Sequence, residues 1–268
     1  MKRTITVFTL MSLTIIGLFL INQTLLLAKP SAMATDAMFT ANQLYETGQF
    51  NQAAQGYQQL VDQSFADSAL YYNLGNAYFK QGDYGRAILD YRRAELLAPR
   101  DPDIQVNLDL ARSQIVDQLT ETDTSESLVS ALGRWTQQCV TTNELAITVL
   151  ASWVLFAFLM IIFSNTGKGK ILREGLQYAL IATGLVLAVG IISLGSRLYV
   201  KNSQPEAVIL AEEVDVTSGP GAQYVTEFTL HSGTEVRLLE ARGNWTRLAL
   251  AGDELQGWVP ASTVEAVN

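Results

Sequence analysis

The chain has 268 residues, with one histidine, His231, and one cysteine, Cys139. A zinc site needs several imidazole or thiolate ligands, and a nucleophilic relay needs a base held by a third group, so neither residue makes a site alone. The sequence offers no nucleotide-binding glycine loop, no paired catalytic acids and no histidine or cysteine cluster. The expectation is no catalytic residue, no metal and no cofactor, and hence a protein that is not an enzyme. His231 lies just before a turn and reads as an ordinary surface residue. Cys139 cannot close an internal disulfide; it reads as a small interfacial residue, the alternative being an intermolecular bridge or a redox role.

Binding chemistry is better represented. When Ala41 is set against Gly75, Leu44 meets Tyr78, Gly48 meets Gly82, Phe50 meets Tyr84, Ala53 meets Ala87 and Tyr57 meets Tyr91. The period of 34 residues is that of paired helices stacked into an array. Small residues at 75 and 87 let paired helices approach, tyrosines fill the space between turns, and Pro99 ends the second helix. The run Leu74-Gly75-Asn76-Ala77-Tyr78 with Gly82, Tyr84, Ala87, Tyr91, Ala94 and Pro99 closely resembles the tetratricopeptide repeat. The first copy is degenerate, with Thr40 at the usual leucine position and no closing proline. One more helix is expected over residues 103–118, covering the open end of an array that is minimal at two units and would draw on a partner for support. The resemblance implies a concave groove lined by the first helix of each pair, where Asn42, Tyr45, Tyr72, Asn73, Asn76, Phe79, Lys80 and Asn107 would contact an extended peptide. The set of basic residues with which some members clamp a terminal carboxylate is missing; the bland alternative is that these residues only shape a spacer.

After residue 205 the pattern changes to short strands, at residues 207–211, 214–216, 235–239, 245–250 and 257–259, separated by glycine-rich turns. Five strands in about sixty residues suggest a small, partly open barrel. Ser218-Gly219-Pro220-Gly221, Tyr224, Phe228, Gly233, Gly243-Asn244-Trp245 and Gly257-Trp258-Val259-Pro260 together resemble a bacterial SH3 domain. Tyr224, Trp245 and Trp258 are its candidate ligand contacts; the competing reading is that the tryptophans complete the barrel core or rim.

Residues 145–163 and 175–196 carry no charge, and each run is long enough at about 1.5 Å per residue to cross a hydrocarbon core of about 30 Å. Between them Lys168, Lys170 and Arg173 outnumber Glu174, which keeps a short loop cytoplasmic and places both flanking modules outside. Gly184 and Ala188 form a small-residue pair where a neighbouring helix could approach. The start, Met1-Lys2-Arg3 followed by an uncharged run to residue 28 and Ala32-Met33-Ala34, has the form of a signal peptide cut after Ala34, the alternative being an uncleaved anchor. With a net charge of −8 and many acids near the C-terminus, the chain lacks the basic footprint that nucleic acid requires.

The expected organisation is a multidomain membrane protein: signal peptide 1–34, all-α tetratricopeptide domain 35–118, linker and interfacial segment 119–142, transmembrane helix 143–163, cytoplasmic loop 164–175, transmembrane helix 176–196, tether 197–205, and a small all-β SH3-like barrel 206–268. That order resembles the BatE-like proteins of aerotolerance operons. The resemblance implies a scaffold in the bacterial inner membrane, crossing it twice, that works with von Willebrand A-domain membrane proteins and a MoxR-type ATPase in oxidative or envelope stress. The alternative is a cell-wall sensor whose barrel binds peptidoglycan.

Overall fold

The structure is a computed structural model that describes residues 32–117, 140–166, 170–203, 205–250 and 255–267. The expected signal core, the linker, the interfacial segment with Cys139 and the tip of the loop at Lys168 lie outside the described residues. Those described divide into two compact units, one made of residues 142–166 and 170–198, the other of residues 32–117, 140–141, 199–203, 205–250 and 255–267.

Among the described residues five helices open the second unit: α1 (Ala32–Glu46), α2 (Phe50–Asp62), α3 (Ser68–Gln81), α4 (Tyr84–Leu97) and α5 (Pro102–Arg112). Their ends follow local chemistry. Asp67, Asp83 and Asp101 each accept backbone N–H groups at the helix starts, and Pro102 occupies the first turn of α5, where its missing donor costs nothing. Gly48 and Gly82, 34 residues apart, both adopt positive φ, 78° and 81°, to stop α1 and α3. Gly75 is needed for a different reason, since a Cβ there would lie 2.8 Å from the Tyr91 ring. The expected last helix is shorter than its pattern, ending at Arg112, and α1 begins ahead of the Ala34–Thr35 bond expected to be cut, with Ala34 buried against α2 and α3 residues.

The first unit contains α6 (Thr142–Asn165) and, as far as Leu198, α7 (Lys170–Ser203), whose apolar stretches are long enough to cross a membrane. The small residues meet the partner helix here: a Cβ on Gly184 would touch Phe156 at 3.4 Å, and one on Gly190 would press on Val149 at 2.7 Å.

Seven strands follow: β1 (Glu206–Ile209), β2 (Glu213–Thr217), β3 (Thr226–His231), β4 (Glu235–Arg242), β5 (Trp245–Ala249), β6 (Gln256–Pro260) and β7 (Val264–Ala266), with a 3₁₀ turn, Ala261–Thr263, before the last. They form one antiparallel sheet in the order β3-β2-β6-β5-β4-β1-β7. Two strands exceed the expected five: β3 mixes exposed and buried residues, and β7 has only three residues, too few to show a period. The sheet is not closed into a barrel by its hydrogen bonds, since β3 and β7 are its two ends. Inward residues of the strands, including Ile209, Val216, Leu248 and Val259, build its own core.

A second apolar cluster joins helices and sheet. Ala87, Ile88, Leu89 and Tyr91 of α4, with Leu108 and Ala111 of α5, pack with Val208 of β1 and with Val267. Gly85 sits so close to the β3–β4 turn that a Cβ would meet Ser232 Oγ at 2.2 Å. The open end of the helical array is thus covered from within the chain by the sheet as well as by α5. Because Ile88 is fully buried in this shared cluster, Ile88→Ala is expected to destabilise the unit by about 2–5 kcal/mol. In urea the helical circular dichroism and the sheet tryptophan fluorescence should fall together at a lower midpoint; separate transitions would mean that helices and sheet unfold independently.

Candidate functional site

The eight residues expected in the groove sit on α1, α3 and α5, and the structure divides them by role. Tyr57 and Asn73 both donate to Asn42 Oδ1, at 2.7 and 3.2 Å. One period later Tyr91 and Asn107 donate to Asn76 Oδ1, at 2.7 and 2.9 Å, and Asn107 Nδ2 also donates to the Tyr72 hydroxyl at 2.9 Å. The same three-residue ladder therefore recurs every 34 positions. It follows from the tyrosines: each is buried, so its hydroxyl must find an acceptor, and the asparagine one helix away supplies it. Burial pushes the Tyr57 hydroxyl up to about 12, so it stays a donor throughout the physiological range.

Tyr45 and Phe79 do other work. Tyr45 meets Phe50 edge-on at 5.3 Å, and Phe79 meets Tyr84 in the same way at 5.4 Å, so both rings brace the turn of their own helix pair. Lys80 is exposed and forms no ion pair among the described residues. The ladder uses one face of each amide. Among the described residues Asn42 Nδ2 and Asn76 Nδ2, with the side-chain oxygens of Asn73 and Asn107, are left over as donors and acceptors. That is the set that main-chain N–H and C=O groups of an extended peptide can satisfy.

On the sheet the three aromatic candidates part company. Tyr224, 44% exposed, and Trp258, 6% exposed, line one groove with Ser218, Arg242 and Arg247, whereas Trp245 is outside its lining. Trp258 is largely spent as a contact, because it is buried and the Arg242 guanidinium lies 5.3 Å from the centre of its ring.

Charge chemistry concentrates at a place that sequence reasoning passed over, the seam between α4–α5 and the sheet. Arg112 reaches Glu235 of β4 through two bonds, Nε to Oε2 at 2.8 Å and Nη2 to Oε1 at 3.0 Å. Arg92 pairs with Glu206 of β1, with Glu235 and with Glu95. Arg93 donates to Glu265 at 2.7 Å and to the Ala266 carbonyl at 3.1 Å, and lies 3.3 Å from Asp90. His231, expected to be an ordinary surface residue, instead faces Asp117. One carboxylate oxygen is 2.9 Å from its Nδ1, and the other accepts from the His231 backbone and the Thr234 hydroxyl, each at 2.7 Å. Burial alone would raise the Asp117 carboxyl; the bonds from Thr234 and His231 outweigh it and hold it below the ordinary aspartate value. Only a helix face rich in arginine and a sheet rich in glutamate hinted at this seam, and nothing in their spacing paired them.

Asp90 is almost fully buried, and that burial pushes its carboxyl up to about 7 against the opposing pull of Arg93. A carboxyl that holds its proton more tightly when folded adds stability that is complete below its unfolded value near 4 and is lost as pH rises through about 7. Melting temperatures measured from pH 8 down to pH 5 should therefore rise more for the wild-type chain than for Asp90→Asn, which lacks this component. In the groove, Asn76→Ala strands the buried Tyr91 hydroxyl and should cost about 1–3 kcal/mol in urea unfolding, while Lys80→Ala should leave stability unchanged.

Two family models match the helical region: "Tetratricopeptide repeat" over residues 68–101 and "TPR repeat" over residues 41–82. Among curated proteins, none matches this chain. The helix pairs of residues 41–101 are thus tetratricopeptide repeats, a fold that generally binds protein partners.

Proposed function

We propose that the protein is a non-enzymatic, membrane-anchored scaffold whose tetratricopeptide groove holds an extended segment of a partner protein. The observation that carries this reading is the repeated ladder, which fixes Asn42, Asn73, Asn76 and Asn107 in place and leaves on each one polar group for a peptide main chain. Such a groove reads main chain more than side-chain charge, in keeping with Lys80 as its one unpaired cation among those eight candidates.

In this reading α6 and α7 span the bacterial inner membrane. Each apolar stretch is buried over only 6% of its window, unlike a helix inside a soluble core. A hairpin that crosses twice returns to its starting side, and the shared cluster of α4, α5 and β1 supports a reading in which helices and sheet share one compartment. The basic loop and the N-terminal pattern argue that this compartment is extracytoplasmic. The antiparallel sheet with its Ser218-Gly219-Pro220-Gly221 loop and its Gly257-Trp258-Val259-Pro260 strand is then an SH3-like module, and the whole a Bat-type component that assembles with von Willebrand A-domain membrane proteins under envelope or oxidative stress.

A photo-crosslinker installed at Lys80 in native membranes should capture a membrane partner, and Asn42→Asp combined with Asn73→Asp should reduce that capture at least about tenfold by charging the groove. Undiminished capture by the double variant would count against the groove. Reporter fusions after residues 118 and 268 should both read as extracytoplasmic; a cytoplasmic signal from either would overturn the topology.

A further inference from the structure

The outer face of the sheet has a groove of about 400 Å³ between the β2–β3 loop and strands β4 to β6, within the size range of small-ligand sites. Four charged side chains line it, and two of them cancel. Arg242 donates to Glu240 at 2.6 Å and stacks on Trp258, so this pair lines one wall with its charges matched. The other two are not cancelled. Arg247 donates to the neutral amide oxygen of Gln256 at 3.0 Å and meets no carboxylate among the described residues, and the exposed Glu227 on β3 forms no ion pair among them.

The groove is also organised in advance. The Thr217 hydroxyl lies 2.8 Å from the Gly219 carbonyl and 3.1 Å from that of Trp258, which ties the loop to β6. The Tyr224 ring rests against Gly219 so closely that a Cβ would come within 2.5 Å of it, yet 44% of Tyr224 remains exposed. An aromatic ring held by its own loop and open to solvent is a ready platform, because ordering it costs the ligand little.

We propose that this groove binds a short peptide carrying one cationic and one anionic side chain, the cation on Glu227, the anion on Arg247 and the intervening chain across Tyr224. The strand order places β3 and β5 three strand spacings apart, about 14 Å between backbones. Both side chains line the same groove, so a ligand's two charges can be joined across it by a short chain at about 3.4 Å per residue. A ligand with a single sign of charge satisfies one end and meets a like charge at the other. This site is separate from the helical groove and does not depend on it.

The test uses the full chain in lipid nanodiscs and three end-blocked, fluorescently labelled tripeptides, Lys-Gly-Glu, Lys-Gly-Lys and Glu-Gly-Glu, followed by anisotropy. The mixed peptide should bind at least about tenfold more tightly than either of the others, and Glu227→Gln and Arg247→Gln should each weaken it about tenfold with unchanged melting temperature. In Tyr224→Ala the preference for mixed charge should persist at lower affinity. Equal binding of all three peptides, tight binding of one single-sign peptide, no binding, or insensitivity to both charge substitutions would each overturn the proposal.

Discussion

The apolar cluster in which Ile88 of α4 and Val208 of β1 are both fully buried is the contact on which the larger unit depends. A helical array ends on an apolar face that water penalises, at about 25 cal/mol for each Å² left uncovered. Two helix pairs and α5 leave such a face on α4. The sheet has the complementary problem, since β1 turns Val208 away from the sheet's own core. Each solves the other's, and neither is complete without the contact.

Around this apolar centre the ion pairs act mainly on orientation. Arg92 and Arg112 converge on Glu235, and Arg93 on Glu265, in surroundings that are mostly half-buried, where the cost of removing charges from water offsets much of their attraction. Their net effect on stability is small, but a sheet docked in another register would strand several charges at once. Asp117 adds a further constraint, since its three bonds hold the chain just after α5 against the β3–β4 turn.

This joining bears on function. The helices that carry Tyr91 and Asn107 into the groove ladder also carry Arg92 and Arg112 into the seam. Groove and sheet are therefore two faces of one packed body. Among its eight candidate residues the helical groove carries a single unpaired charge, on Lys80, whereas the sheet groove has one unpaired charge of each sign, so the two faces suit different ligands.

The helical repeat was legible in the sequence because its causes are local. Spacing of 34, caps at Asp67, Asp83 and Asp101, and glycines where the chain must turn left-handed each act within a few residues. The apolar runs of α6 and α7 were legible for the same reason. Strands β3 and β7 were not, since one has an irregular pattern and the other is too short to have one. The set of groove residues could be read by position, but the division of labour among them could not, because Asn76 owes its role to a hydroxyl 15 residues away and an amide 31 residues away. The seam was wholly outside what sequence alone determined. Arg92 and Glu206 lie 114 positions apart, with both apolar helices between them, and only the folded chain brings the two ends of that stretch together.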